Sequence, residues 1–340
     1  MPLVDIADIT KEVRLGRSLT RDQTRSIFEQ IMTGQVDERS MGAFLQVLAE
    51  KGETIEEITG AADVMNEKVR RVRCDAECID TCGTGGDGIS TFNVSTTAAI
   101  IAAAAGAVVA KHGNRTHTRV SGSAEAIATL GVNLDADIPI LERCLRECHI
   151  AFLYAPNLHP AMKYASPVRK ALKTRTIFNL LGPLTNPAGA KRQLMGTFRP
   201  TLTETLAEVL AARGAIFAWV VNAHNGLCDL SITGPTKVTE LCEGRIRTFE
   251  VGPGDVGFDT APLEALLVDS PQASADAIRA ILDGSEQGPR RHHALLNAGA
   301  AIVVAGLAGD LREGVSRASD ALDSGRAERT LKQLGEISHR

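Results

Sequence analysis

The run Gly83-Thr84-Gly85-Gly86-Asp87-Gly88 follows the apolar stretch CIDTC. Its glycines let backbone N–H groups approach an anion with no Cβ in the way. Further along, Lys111, His112, Arg115, His117 and Arg119 crowd one segment, and between Asp87 and Glu125 there is no Asp or Glu. A cationic interval free of competing carboxylates suits phosphate. Asn93, Ser95 and Thr96 stand where the loop passes into the alanine-rich stretch STTAAIIAAAA. There they can cap a helix whose free N–H groups and dipole face an anion, although Ser95 taken alone reads equally as a plain helix cap. Lys111-His112-Gly113-Asn114-Arg115 ends the next apolar stretch, AVVAKHG, on the carboxyl side of a strand, where open parallel sheets bind ligands. Ser121-Gly122-Ser123-Ala124 then opens another helix with its own set of N–H groups.

Two better-known phosphate loops compete for the glycine run. It fits G-x-G-x-x-G, but a dinucleotide site wants an acidic residue about twenty positions later to hold the ribose, and none is there. A Walker loop is excluded because no Gly-Lys-Ser/Thr closes the motif.

Positioning such a site calls for a parallel sheet. CIDTC, the glycine run, STTAAIIAAAA and AVVAKHG read as strand, loop, helix and strand, a βαβ unit. Helix then strand recurs in ILERCLREC with IAFLYA and in LTETLAEVLAARG with AIFAWVV, so the economical fold is a mostly parallel sheet with helices on its faces. Before it, from Ile6 to about Val72, apolar residues recur at three- and four-residue spacing, with Gly34 and Gly52 as stops: a small all-helical region. The stretch from His159 to Ala188 breaks the rhythm with a helix, PAMKYASPVRKAL, and a Gly- and Pro-rich loop, NLLGPLTNP, an insertion able to return to the N-terminal helices. From Ser274 the tail reads as about three amphipathic helices. The fold class is therefore α/β, with a small N-terminal all-helical domain and a larger α/β domain around a mostly parallel central sheet.

The 340 residues suffice for two such parts, and 44% apolar with 23% charged residues is ordinary for a globular chain. A net charge of -4 gives no general attraction for nucleic acid or an anionic membrane. No apolar run reaches the roughly 18 residues of a membrane span, and MPLVDIADITKEVR lacks the apolar core of a signal peptide, so the expected location is cytoplasmic. The seven cysteines, Cys74, Cys78, Cys82, Cys144, Cys148, Cys228 and Cys242, include no C-x-x-C pair and read as reduced. The spacing of Cys74, Cys78 and Cys82 also permits metal ligation, but small buried thiols are the better reading.

Six motifs in order, GTGGD (Gly83 to Asp87), NVST (Asn93 to Thr96), KHGNR (Lys111 to Arg115), SGSA (Ser121 to Ala124), PVR (Pro167 to Arg169) and TIFNLLGPLTNP (Thr176 to Pro187), resemble the anthranilate phosphoribosyltransferases. The N-terminal AFLQVLAEKGETIEEITG does so too, and the resemblance covers nearly the whole chain. It implies a helical domain of residues 1–75 with roughly 160–187, and an α/β domain of 76–159 and 188–340 that holds 5-phosphoribosyl-1-pyrophosphate (PRPP) in the cleft between them. It further implies a homodimer through the helical domain, an anthranilate synthase component as a further partner, and a Mg2+-dependent reaction. In that reaction the 5-phosphoribosyl group passes to the amine of anthranilate, in tryptophan biosynthesis.

Carried over by position, Gly83, Gly85, Gly86, Asp87, Asn93, Ser95, Thr96, Lys111 and Ser123 would contact PRPP, with Ser95 and Asp229 toward the metal. His112, Asn114, Arg169 and Pro183 would line the path of the acceptor, and Lys111, Asn114 and Arg169 would carry catalysis. The chemistry agrees. Displacing pyrophosphate from the anomeric carbon needs a stabilised leaving group and tolerance of positive charge on the ribose, which cations and backbone donors supply electrostatically. The aromatic amine is a free base at neutral pH and needs positioning more than a general base. Arg169 suits a carboxylate because its guanidinium forks two N–H groups toward two oxygens.

The sequence departs from the family in places. Where the family has Gly-Leu-Asp-Glu for a second magnesium ion, this chain has Gly226-Leu227-Cys228-Asp229, so weaker or single-metal binding is expected there. After KHGNR, small residues and serines before a cation are replaced by Thr116, His117, Thr118, Arg119 and Val120, a shifted cation in the loop that would close over PRPP. Tyr154 stands where Phe is common. These changes leave room for a paralogue that ribosylates a different aromatic acceptor. Pyrimidine nucleoside phosphorylases share a related fold but read differently at KHGNR. A non-catalytic nucleic-acid-binding relative is disfavoured by the intact GTGGD and the acidic balance.

Overall fold

The computed structural model describes residues 5–116 and 119–340; the expectations placed on His117 and Thr118 lie outside these residues. Four helices come first, α1 (Ile6–Arg14), α2 (Arg21–Met32), α3 (Glu38–Lys51) and α4 (Ile55–Glu67). Their starts are written in the sequence: Asp5 and Asp37 cap α1 and α3, and Thr20 with Gln23 and Thr54 with Glu57 form capping boxes on α2 and α4. Gly52, at φ 88°, ends α3 as expected. Helix stops at Glu67, short of the expected Val72, and the chain runs irregularly to the sheet.

Then follow β1 (Cys78–Asp80), α5 (Val94–Ala104), β2 (Val108–Gly113), α6 (Ser123–Thr129), α7 (Ile138–Glu147), β3 (Ile150–Tyr154) and the single turn α8 (Ala155–Leu158). The insertion carries α9 (Ser166–Leu172) and α10 (Phe178–Leu184), after which come β4 (Arg192–Gly196), α11 (Leu202–Ala212), β5 (Phe217–Ala223), β6 (Thr236–Cys242) and β7 (Arg245–Val251). The tail is α12 (Pro271–Leu282), α13 (Pro289–Val304), α14 (Leu311–Asp323) and α15 (Arg326–Ser338). The seven strands lie in the order β3-β2-β1-β4-β5-β6-β7. The first five are mutually parallel, and β6 and β7 extend the sheet antiparallel. The small helical part, the larger α/β part and the mostly parallel sheet are as the sequence predicts.

Alternate residues of the central strands feed opposite cores, the period-two signature of a sheet covered on both faces. Leu194, Trp219 and Val221 join α5, α13 and the other tail helices. Met195, Ala218 and Val220 join α11 and the N-terminal helices, together with Val168 of α9 and Leu180 and Leu181 of α10. The rings of Phe28 on α2 and Phe178 on α10 lie 5.5 Å apart.

Four local expectations need correction. CIDTC forms strand only over Cys78–Asp80, so Cys82 lies beyond its end. PAMKYASPVRKAL is a 3-10 turn, Pro160–Lys163, followed by α9 rather than one helix. NLLGPLTNP is not all loop: its first half is α10, with Pro183 inside. Pro183 falls in the last turn, where its missing N–H costs one bond, and burial of Leu180, Leu181 and Leu184 outweighs the loss. The tail has four helices, and α13 is buried from Ala294 to Val304 around its whole circumference, so it is a core helix and not an amphipathic one.

Candidate active site

The glycine loop bends through left-handed backbone at Gly85 (φ 60°), Gly86 (φ 87°) and Gly88 (φ 75°), conformations that a Cβ makes costly. It is moored to the end of β4, where Thr84 N–H donates to Gly196 O at 2.8 Å. Downstream, α5 begins at Asn93, but the expected side-chain cap is absent. Asn93 Oδ1 instead accepts the Thr96 hydroxyl, and Asn93 N–H donates to Ser274 Oγ at 3.0 Å. The first N–H groups of α5 are therefore not consumed by a side-chain cap. Ser95, in that first turn, is half-buried and Thr96 is buried.

Beneath the loop lies a knot of polar groups. Asp80 ends β1 fully buried; its Oδ1 accepts Cys82 N–H at 3.0 Å and His112 N–H at 3.1 Å, and its Oδ2 accepts Asn186 Nδ2 at 2.7 Å. Burial pushes the Asp80 carboxyl up to about 6, against the pull of the Lys111 charge. Lys111 is 2% exposed, and its Nζ donates to Thr81 O at 3.2 Å, so the cation expected at PRPP sits under the loop. His112 Nδ1 lies 3.0 Å from Gly182 O and its Nε2 lies 3.2 Å from His159 Nε2. Burial and the neighbouring His159 hold His112 down at about 3, hence neutral. Ligand atoms of Asp80, Cys82 and His112 come within 4.8 Å of one another. The hydrogen bonds just described occupy the Asp80 and His112 atoms, and burial lifts the Cys82 thiol to about 12, so the cluster is a structural knot and not a metal centre.

Around the KHGNR turn, Ser123 Oγ accepts Asn114 N–H at 3.3 Å and donates to Asn114 O at 3.2 Å, tying the exposed Asn114 to α6. Arg115 donates to the Tyr154 hydroxyl at 3.0 Å, which gives that tyrosine a task. Pro183 is buried, and its carbonyl accepts Gln193 Nε2 at 2.7 Å. Arg169, on α9, is half-buried, with its guanidinium 5.4 Å from the Phe178 ring. Desolvation lowers its pKa, and among the described residues no carboxylate pairs with it.

Asp87 joins three segments. Arg119 grips both its oxygens, Nε to Oδ1 at 2.6 Å and Nη2 to Oδ2, while Ile89 N–H reaches Oδ1 at 3.2 Å and Cys228 N–H reaches Oδ2 at 3.1 Å. Asp229, half-buried beside them, is raised to about 6, first by burial and further by Asp87, with Arg119 opposing.

Residues 7–69 match the helical bundle domain of the glycosyl transferase family, and residues 75–328 match its a/b domain. The anthranilate phosphoribosyltransferase of Bradyrhizobium sp. (strain ORS 278) is 48% identical over 335 residues, 98% of this chain and 99% of that protein. This chain belongs to the anthranilate phosphoribosyltransferase family. The enzyme of that name from Rhodospirillum rubrum is 47% identical over 97% of this chain and 95% of its own. Among solved structures, the family member from Thermus thermophilus superposes with a TM-score of 0.92 at 38% identity, covering 97% of this chain and 99% of that one. The Saccharomyces cerevisiae enzyme in complex with PRPP and Mg gives 0.90 at 26% identity, covering 98% of each.

For a family member, the oxygen donors fit one hard cation better than two. The Ser95 hydroxyl and the Asp229 carboxylate suit Mg2+. Asp87 has its oxygens occupied by N–H donors, and burial keeps the Cys228 thiol protonated, a poor ligand for a hard ion. Sequence reasoning missed Asp80, Asn186 and Arg175. Asn186 sits inside the quoted TNP motif, and Asp80 is a lone acid in an apolar strand, a signal that could have been followed. Arg175 bonds Gly86 O and stacks 4.4 Å from the Phe198 ring, joining the insertion to the glycine loop. Nothing in its surroundings in the sequence marks it.

Proposed function

We propose that this chain transfers the 5-phosphoribosyl group of PRPP to the amine of anthranilate, releasing pyrophosphate. The observation that carries the reading is Arg169: a half-buried cation with no carboxylate partner among the described residues, a state that an acidic ligand relieves. On the donor side, the left-handed glycines and the uncapped start of α5 offer N–H groups to phosphate. Gly83, Gly85, Gly86, Asn93, Thr96 and Ser123 shape that pocket, and Lys111 contributes charge from below. Mg2+, when bound, neutralises charge on the departing pyrophosphate; Ser95 would hold it, with Asp229 as a second oxygen donor. His112, Asn114 and Pro183 border the acceptor, and Arg169 pairs with its carboxylate, so that the amine is aligned on the anomeric carbon. The residues of this chain thus bind, orient and stabilise, and no proton transfer need be assigned to a side chain.

In this reading the two parts, 1–75 with about 160–187 and 76–159 with 188–340, meet at the cleft that holds both substrates. The protein works as a cytoplasmic homodimer in tryptophan biosynthesis, with an anthranilate synthase component as the source of its acceptor. Among the described residues no helix is long and apolar enough to cross a membrane.

Protein, PRPP and Mg2+ mixed with anthranilate should quench anthranilate fluorescence with matching pyrophosphate release. Release with another aromatic amine but not with anthranilate would move the acceptor assignment to the paralogue that Cys228 and the Thr116 to Val120 loop suggest. No pyrophosphate release with any acceptor would overturn the transferase reading.

A further inference from the structure

We propose that the Arg119 guanidinium is the resident cation of the diphosphate pocket, paired with Asp87 in place of a second divalent ion. The inference rests on the phosphoribosyl-transfer reading and goes beyond it. The Asp87 side chain is wholly shielded from solvent and that of Arg119 is 14% exposed, so their pairing is sheltered from the screening that weakens surface ion pairs. Four N–H groups, two from Arg119 and one each from Ile89 and Cys228, converge on the two Asp87 oxygens. Two carboxylate oxygens offer about four lone-pair sites, so none is left for a metal ion, which binds through such lone pairs. Cys228 places a thiol next in the ligand sequence, and Mg2+ prefers oxygen.

The placement is also a binding geometry. Arg119 reaches Asp87 within the glycine loop, and the next residue follows it there, with Val120 N–H on Ser90 Oγ at 3.2 Å. A planar fork of N–H donors suits phosphate oxygens as it suits carboxylate. Asp87 then serves to aim the guanidinium, Asp229 is left to the single metal ion, and the loop that cradles the diphosphate carries its own positive charge. A plain staple between two loops would share the salt bridge but would leave ligand affinity and metal count untouched.

The discriminating measurement counts Mn2+ by electron paramagnetic resonance in the full-length protein saturated with PRPP, alongside calorimetric PRPP affinity. One Mn2+ per protomer is expected for the wild type. Arg119→Lys, which keeps the charge and loses the fork, should retain that count and weaken PRPP about tenfold. Arg119→Ser combined with Cys228→Asp should admit a second Mn2+. Two ions in the PRPP-bound wild type would overturn the proposal without recourse to any variant. PRPP affinity within about twofold of wild type in a folded Arg119→Lys would overturn it too, leaving a staple. Absence of PRPP uptake by the wild type at any Mn2+ concentration would instead bring down the transferase reading, and this inference with it.

Discussion

Lys111, buried in β2, and Arg169, half-buried on α9, are both partly or wholly shielded cations, yet their surroundings are opposite. Lys111 has the Asp80 carboxylate nearby and Thr81 O as acceptor, and the same aspartate is bonded by Cys82, His112 and Asn186. Arg169 has an aromatic ring and no carboxylate among the described residues. A buried charge with its partners built in reports on the fold; one whose partner is missing reports on the ligand. The sequence presents both simply as cations within recognisable motifs.

Breaking that contrast should begin with the largest effect. Lys111→Met strands the buried Asp80 and should cost about 3–5 kcal/mol of unfolding free energy, read by urea denaturation, and Asp80→Asn added to it should restore most of the loss. Arg169→Met should leave the thermal midpoint nearly unchanged, because its half-buried charge has no carboxylate partner among the described residues, while raising the KM for the aromatic acid about a hundredfold in steady-state assays. A fall in stability with Arg169→Met would erase the distinction drawn here.

His293 sharpens the comparison from a third direction. It is fully buried on α13 with no hydrogen bond to either ring nitrogen among the described residues, and burial alone holds it at about 3, so it stays neutral where Arg169 cannot. Its folded value lies below that of the unfolded chain. The unfolded state therefore takes up the proton first, and the stability His293 contributes is complete above pH about 6.5 and drains away as pH falls toward 3. His293→Leu should gain on the wild type by about 1.4 kcal/mol for each pH unit below 6.5, measured as urea midpoints from pH 7 to 4.5. The smallest effect belongs to the exposed Arg175: its removal in Arg175→Ala should raise the KM for PRPP only about threefold, since the bond it gives Gly86 is open to water.

Much of this was legible before any coordinates. The βαβ rhythm, the three- and four-residue spacing of the N-terminal helices and the glycine loop are local signals, set by residues a few positions apart. What escaped depended on contacts between distant residues. Asp80 and Asn186 are separated by 106 positions, and their bond is part of the buried network beneath the glycine loop. Burial likewise turned GPL into the last turn of α10, and α13 hid because a helix enclosed on all sides has no polar face to mark its period. The candidate site residues were proposed from motifs, while which of them are tied together beneath the glycine loop needed the packing.

The junction of β4 with the run around Cys228 carries a consequence of another kind. A Cβ on Gly196 would fall 1.5 Å from the Cys228 carbonyl oxygen, so two backbones touch there with nothing between them. The main chain at position 228 is held from behind by a neighbour that has no side chain to adjust. Whatever side chain the position bears is thus presented to the pocket from a fixed socket. Natural variation can exchange acid for thiol there, as one changes a tool bit without moving the chuck, and the charge of the pocket can evolve with little disturbance to the fold.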